Sequence, residues 1–211
     1  SEFSVLNKKQ IINKYNKSIS VKDIDISSLN NLKIKKWSIT LFSSGTTGNP
    51  KQVSHNFDTI TRSVRKSEKH NNDIWGYAYN PTHIAGLQVF FQSVLNFNQI
   101  IRLFDLPIDI IHQSIEKYKI SHISATPTFY RLLCFNEKPM SSVLKATSGG
   151  EMLNENTKEK ISLIFPNADI LNIYASTEAG TVIYSKKNYF EVKDVFNNFV
   201  KIEDNELKLH K

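Results

Sequence analysis

Short apolar runs alternate with longer amphipathic segments over most of the chain. Residues 37–42, 75–79 and 99–104 have the length and the aromatic or β-branched content of strands. Further runs of this kind lie at residues 122–126, 144–147 and 169–174. The segments between them repeat apolar residues at helical spacing, as residues 108–118 do after Pro107. Asn56 can likewise cap a helix that carries Phe57, Ile60 and Val64 on one face. This alternation predicts an α/β fold with a mostly parallel sheet flanked by helices.

The last part of the chain has a different pattern. Residues 181–211 contain short β-like runs, such as 182–184 and 207–209, separated by polar turns. They predict the start of a small β subdomain that the chain does not complete. We therefore expect residues 4–180 to form a partial α/β core and residues 181–211 an incomplete β subdomain.

A loop rich in hydroxyls and glycines follows the first predicted strand. It reads Ser43-Ser44-Gly45-Thr46-Thr47-Gly48-Asn49-Pro50-Lys51. Glycine lets backbone N–H groups turn toward an anion, the hydroxyls add donors, and a lysine adds positive charge. The spacing is not that of a Walker A loop. The pattern predicts a phosphate-binding loop, with an ordinary polar loop as the alternative.

This loop resembles the phosphate loop of the AMP-binding, acyl-CoA synthetase-like superfamily of adenylate-forming enzymes. A second segment, Asn172-Ile173-Tyr174-Ala175-Ser176-Thr177-Glu178-Ala179, is similar to the family's Tyr-Gly-x-Thr-Glu motif. Ala175 stands where the family usually has glycine, and its methyl group would crowd a bound nucleotide. The resemblance implies that Tyr174 faces the adenine, Thr177 bonds the α-phosphate and Glu178 holds Mg²⁺, a cation that prefers oxygen ligands.

Two further segments carry a weaker resemblance. Ser148-Gly149-Gly150-Glu151 is similar to the family segment that lines the adenine and acyl pockets. Residues 80–86 are similar to the segment whose histidine, here His83, borders the acyl pocket. The alternatives are a plain turn for the first segment and a capping or packing histidine for the second.

The resemblance implies ATP-dependent activation of a carboxylic acid to acyl-AMP, with CoA or a carrier-protein thiol as the acceptor. The expected catalytic residues are Lys51, Thr177, Glu178 and His83, with Glu178 as the metal ligand. The residues expected to bind ATP or AMP are Ser43, Ser44, Gly45, Thr46, Thr47, Gly48, Lys51, Gly149, Gly150, Glu151, Tyr174, Ala175, Ser176 and Thr177. The attacking carboxylate is ionised at neutral pH, so no general base is required.

The residues around His83 bear on the substrate. Family members that activate amino acids place an aspartate near this position, but no Asp or Glu lies between Asp73 and Asp105. A buried ammonium without a partner would be costly. We therefore expect an acyl or aryl acid without an α-amine. Phe90, Phe91 and Phe97 either line its pocket or pack in the core.

Charge and composition argue against other classes of function. The formal charge is +7, but the basic residues are scattered and form no patch with interleaved aromatics. Nucleic-acid binding is thus an unfavoured alternative. Cys134 is the single cysteine, and no apolar run reaches the length of a membrane span. We expect a cytoplasmic protein with no membrane or nucleic-acid partner.

The chain is shorter than a complete family member. A Thr-Gly-Asp motif and the lysine of a mobile C-terminal domain have no counterpart in the sequence. We expect a piece of a longer enzyme, which alone would be a poor adenylating catalyst. The alternative is a non-catalytic remnant of the fold that binds a nucleotide or a partner.

Overall fold

A computed structural model describes residues 38–43, 51–135, 138–178, 180–191, 200–203 and 206–209. They fall in one compact unit, Ser38–Lys211. The strands are β1 (Ser38–Ser43), β2 (Lys51–Asn56), β3 (Ile74–Tyr77), β4 (Gln99–Arg102), β5 (His122–Ala125), β6 (Lys145–Gly149), β7 (Asp169–Ser176), β8 (Gly180–Ser185), β9 (Val200–Glu203) and β10 (Glu206–Leu209). The α-helices are α1 (Phe57–Thr61), α2 (Ile84–Val94), α3 (Ile108–Tyr118), α4 (Pro127–Leu133) and α5 (Glu155–Ile164), and Glu68–His70 form a 3₁₀ turn.

A six-stranded sheet forms the centre of this unit. Its strand order is β4-β3-β5-β6-β7-β8, and all pairs are parallel except β7 with β8. The α/β fold with a mostly parallel sheet is therefore confirmed. The carboxyl ends of β3, β5, β6 and β7 share one edge, where binding sites of such sheets lie.

The strand order reverses between β3 and β5. The chain runs outward from β3 to β4, then crosses back to β5 and continues to β7. Because such crossovers are right-handed in nearly all proteins, α2 lies on one face of the sheet and α3, α4 and α5 on the other. The packing agrees, since α3, α4 and α5 together supply the main hydrophobic core.

Tyr130 lies at the centre of that core. Its side chain is fully buried, and its hydroxyl donates to the carbonyl oxygens of Ile123 and Thr147, each at 3.0 Å. Phe165 packs edge-on against the ring at 6.3 Å between centroids. One side chain from α4 thus ties β5 to β6 and satisfies a polar group that burial would otherwise penalise.

An antiparallel hairpin, β1 with β2, forms a separate two-stranded sheet. Ser43 pairs with Lys51 at its end, and residues 44–50 lie outside the described residues. Asn56 then starts α1 through a capping box, because its side chain accepts from Thr59 N at 2.8 Å and Thr59 Oγ1 accepts from Asn56 N at 3.0 Å. The cap predicted at Asn56 is confirmed, but β2 was not predicted.

The C-terminal strands divide between two sheets. β8 extends the central sheet as its antiparallel edge strand, while β9 and β10 pair with each other. The division of the chain into residues 4–180 and 181–211 stays a prediction. Within the described ranges, every helix falls short of the length or apolar content that a membrane crossing requires.

Removing the Tyr130 hydroxyl should destabilise the fold. Tyr130→Phe leaves two buried carbonyl oxygens without this donor, so we expect a loss of about 1–2 kcal/mol in the free energy of unfolding. Urea denaturation followed by circular dichroism measures it. Tyr118→Phe, on a partly exposed side chain, is the matched control and should change stability by less than about 0.5 kcal/mol. Equal effects of the two changes would contradict the role of the hydroxyl.

Candidate functional site

A cleft of about 900 Å³ opens on the sheet face that α2 covers. Its floor consists of residues of β3, β5, β6 and β7 that lie on this face: Trp75, His122, Ser124, Lys145, Thr147, Gly149, Leu171, Ile173 and Ala175. One wall is formed by residues of α2: Ile84, Ala85, Gln88 and Val89, with Gln92 at its far end. The cleft thus spans the switch point between β3 and β5, the usual position of a ligand site in an open α/β sheet.

Two glycines form the cleft wall at the carboxyl end of β6. A Cβ atom on Gly149 would lie 3.0 Å from the Ile173 carbonyl oxygen, closer than a side chain normally packs. Gly150 has φ +84°, which L side chains rarely adopt. The sequence-predicted residues Gly149 and Gly150 therefore line the cleft with bare backbone, which a flat ligand group can approach closely.

Tyr79 holds this glycine segment in place. Its hydroxyl donates to the Gly149 carbonyl oxygen at 3.2 Å and also bonds the Ser124 side chain. Burial raises the pKa of the Tyr79 phenol well above its usual range, so the group remains a neutral donor. No local sequence pattern indicates this role of Tyr79, because its partner lies 70 residues further along the chain.

The end of β7 supplies the opposite side of the cleft mouth. Ala175, Ser176 and Thr177 line the cleft, and their predicted role in binding a nucleotide stays a prediction. Tyr174 does not line it; its ring is 42% exposed and packs edge-on against Phe190 at 6.2 Å. The register shift between Tyr174 and Ala175 marks where the strand changes direction.

His55 connects the hairpin to this turn. Its Nε2 lies 2.8 Å from the Thr177 carbonyl oxygen, and the side chain is 5% exposed. A carbonyl oxygen only accepts, so Nε2 carries the hydrogen. This bond brings the strand that follows the predicted phosphate loop directly to the Thr177 segment. Phe42, near the other end of the loop, lines the same cleft.

Several predicted residues of the phosphate loop lie outside the described residues, namely Ser44, Gly45, Thr46, Thr47 and Gly48. The ends of the loop are described: Ser43 ends β1, and Lys51 begins β2 with an exposed side chain. Because β1 and β2 are paired up to these residues, the loop starts and ends at the tip of the hairpin that His55 connects to Thr177.

The remaining predicted residues lie at the cleft or beside it. His83 is the N-cap residue of α2, makes no capping hydrogen bond and lines the cleft. Glu151 accepts from the Thr128 hydroxyl at 2.6 Å and lies 3.6 Å from Arg131, so its carboxylate faces the start of α4. Glu178 is exposed in the turn after β7.

Three aromatic residues that the sequence offered for an acyl pocket do not line the cleft. Phe97 is 63% exposed and Phe90 is 39% exposed. Phe91 packs against Phe57 of α1 at 5.7 Å between ring centroids. Phe90 and Phe97 are also too exposed to belong to the core, the other alternative, whereas Phe91 packs on α1.

The far end of the cleft contains a polar cluster at the start of the strands. Asp73 Oδ2 lies 2.8 Å from His70 Nδ1 and 3.5 Å from His122 Nε2. Burial lowers the pKa of His122; Asp73 opposes this shift, and the charges of Lys145 and His70 reinforce it. Ser121 Oγ, 2.9 Å from His122 Nδ1, fixes the other side of the ring.

The charge of the described lining is positive. Arg65 and Lys145 face the cleft together with three histidines, and no Asp or Glu is among the described lining residues. Arg65 is held over the Tyr184 ring, 5.8 Å from its centroid. A cleft of this composition favours an anionic ligand and disfavours an ammonium group.

A protein-family model and two relatives are similar in sequence to this chain over most of its length. The chain matches the family model described as AMP-binding enzyme over residues 8–208. It is 29% identical over 192 residues to the 2-succinylbenzoate–CoA ligase of Bacillus pumilus (strain SAFR-032), covering 83% of this chain and 38% of the ligase. It is 28% identical over 169 residues to the malpinin synthetase of Mortierella alpina, covering 74% of this chain and 2% of the synthetase.

Solved structures show the same fold. The O-succinylbenzoate coenzyme A synthetase of Bacillus subtilis, solved in complex with AMP, superimposes with a TM-score of 0.58 and 23% sequence identity. The match covers 69% of this chain and 38% of that chain. The chain therefore spans well under half the length of the ligases and synthetases that it resembles.

Breaking the bond from His55 should loosen the hairpin. His55→Leu removes the donor to Thr177 O, whereas His55→Gln keeps an N–H at similar reach. In His55→Leu we expect amide hydrogen exchange in residues 51–56 and 176–178 to be roughly tenfold faster, because that factor corresponds to a loss of about 1.4 kcal/mol in local stability. In His55→Gln we expect a much smaller increase.

His112→Leu is the matched control for this experiment. His112 Nε2 bonds the Leu133 carbonyl oxygen at 3.0 Å, a similar contact between α3 and α4. This variant should leave exchange in residues 51–56 unchanged relative to the rest of the fold. If His55→Leu and His112→Leu loosen the hairpin equally, His55 has no specific part in holding it.

Proposed function

Because the chain belongs to the AMP-binding enzyme family, we propose that it binds ATP and a carboxylic acid and forms the acyl-AMP. The acyl group would then pass to CoA or to a carrier thiol. The chain covers 38% of the Bacillus pumilus ligase, so the described residues correspond to only part of what that ligase contains. The described residues would hold the nucleotide and the acid in a single cleft.

The convergence of three predicted segments carries this proposal. The Gly149-Gly150 segment and the Thr177 turn line one cleft, and the hairpin that ends at Ser43 and Lys51 is bonded to that turn through His55. These segments are separated by long stretches of chain and meet only in the fold. A nucleotide with its base beside the glycines and its phosphates near Thr177 would contact all three.

The reaction itself needs positioning more than proton transfer. A carboxylate oxygen of the acid attacks the α-phosphorus of ATP, the bond to pyrophosphate breaks, and acyl-AMP and pyrophosphate result. The donors at Thr177 and Lys51 would neutralise charge on the phosphates, and His83 would border the acid. The lack of a carboxylate on the described lining supports an acid without an α-amine.

The residues present also fit a magnesium ion that arrives with ATP. Within the described ranges, no group of three His, Cys, Asp or Glu could hold a metal ion. Mg²⁺ bound to a nucleotide needs only one or two carboxylates, because phosphates and waters supply the other ligands. Glu178, exposed beside Thr177, would provide one. When bound, the ion would offset negative charge on the phosphate oxygens.

Calorimetry with ATP and Mg²⁺ tests the proposal. We expect saturable binding to the wild-type chain, and an affinity at least about tenfold lower for Lys51→Ala and for Glu178→Ala, because each loses a charged contact. Lys117→Ala and Glu159→Ala, exposed residues on α3 and α5, are matched controls and should bind as the wild type does. Absence of ATP binding by the wild type, or equal binding by all four variants, would favour a non-catalytic remnant.

A further inference from the structure

Tyr79 joins two segments that the proposed function assigns to different ligands. Its hydroxyl lies 3.2 Å from the Gly149 carbonyl oxygen, in the segment expected beside the adenine. Four residues further along the chain from Tyr79, His83 lines the cleft where the acid is expected. The Tyr79 side chain therefore lies between the nucleotide end and the acid end of one cleft.

The direction of the hydrogen bonds of Tyr79 follows from the groups involved. The Gly149 carbonyl oxygen can only accept, so it takes the single hydrogen of the Tyr79 hydroxyl. The Ser124 side chain, which also bonds this hydroxyl, is then the donor to Tyr79 Oη. A chain of hydrogen bonds thus runs from β5 through Tyr79 to the carboxyl end of β6.

Gly149 has little room to move away from Tyr79. A Cβ atom at this position would lie 3.0 Å from the Ile173 carbonyl oxygen and 3.7 Å from the Tyr79 hydroxyl oxygen. The glycine backbone is therefore packed between β7 on one side and the Tyr79 side chain on the other. A ligand that orders the glycine segment consequently acts on the tyrosine as well.

The connection from Tyr79 to His83 is short and well bonded. Asn80 Oδ1 accepts from Thr82 N at 3.0 Å and from the Thr82 hydroxyl at 2.8 Å, which closes the turn between the two residues. The Asn80 carbonyl oxygen accepts from His83 N at 3.1 Å. A displacement of Tyr79 is therefore passed to His83, because the turn between them is held by three hydrogen bonds.

The first turn of α2 packs directly on this segment. A Cβ atom on Gly86 would clash with the Asn80 carbonyl oxygen, so only glycine permits the close approach. Leu87 N donates to the His83 carbonyl oxygen at 3.0 Å, which bonds the cap residue to the helix. Residues 79–87 thus form one continuously bonded segment, and the Tyr79 hydroxyl attaches it to Gly149.

We propose that Tyr79 is a positioning residue that transmits nucleotide binding at Gly149 and Gly150 to the acid-binding segment at His83. The nucleotide then orders the wall that the acid contacts, and the Tyr79 hydroxyl is the connection. This inference rests on the proposed function, because it takes the glycine end of the cleft to hold the nucleotide. It goes beyond that function by assigning the coupling between the two ligand sites to one side chain.

Amide hydrogen exchange with and without AMP tests this coupling. In the wild type, saturating AMP should slow exchange by at least about threefold both in residues 148–151 and in residues 80–87. Tyr79→Phe removes the donor to the Gly149 carbonyl oxygen and keeps the ring. At AMP concentrations that saturate this variant, residues 148–151 should remain protected, and the slowing in residues 80–87 should fall below about 1.5-fold.

Tyr77→Phe is the matched control. Tyr77 is also buried, but its hydroxyl finds no hydrogen-bond partner in the described part of the chain. This variant therefore removes the same atom without breaking a bond, and it should show the wild-type slowing in residues 80–87. Should Tyr79→Phe fail to fold, Ser124→Ala removes the donor to Tyr79 Oη and should reduce the slowing in residues 80–87 below that of the wild type.

Three outcomes would overturn the inference and leave the proposed function in place, because AMP binds in each. The first is equal slowing in residues 80–87 of the wild type and Tyr79→Phe, which would show that AMP acts on this segment directly. The second is protection of residues 148–151 alone in the wild type, and the third is the same loss in Tyr77→Phe. A wild-type chain that binds no AMP in calorimetry overturns the proposed function, and this inference with it.

Discussion

The reversal of strand order between β3 and β5 determines where the site lies. Because parallel strands need long crossovers, and these crossovers share one hand, the reversal sends α2 to one face of the sheet and α3, α4 and α5 to the other. Three helices pack on one face, whereas α2, with α1 packed against it, lies on the opposite face. The cleft is the part of that face which α2 leaves open, and the carboxyl ends of the strands form its mouth.

The two faces of the central strands differ in the chemistry of their side chains as well as in the helices that pack on them. In β5, Ile123 and Ala125 point into the core, while His122 and Ser124 point into the cleft. β6 alternates in the same way, so polar side chains lie on a partly buried surface where packing alone would favour apolar ones. Such residues are costly unless they are bonded or contact a ligand, and the bonds of Ser124 with Tyr79 and of His122 with Ser121 show that the protein itself satisfies some of them.

Local sequence patterns predicted most of the fold and part of the site. Helices with a clear start, such as those after Asn56 and Pro107, and strands with strong apolar content were predicted correctly. β2 was missed because Val53 is its only strongly apolar residue, and pairing with β1 holds it in place. Resemblance to the family found the Thr177 and Gly149 segments. It did not find the bond from His55 to Thr177, which joins residues 122 positions apart and leaves no local pattern.

The link between hairpin and sheet has a thermodynamic consequence for the site. The contacts that attach the β1–β2 hairpin and α1 to the rest of the unit include the His55 bond, the buried Ile60 and the contact of Phe57 with Phe91. Together these contribute a few kcal/mol at most, much less than the core that Tyr130 organises. A ligand that contacts both the hairpin and the Thr177 turn binds only the arrangement in which they are close. It therefore stabilises that arrangement by its own binding free energy, and the position of the hairpin and the affinity of the site change together.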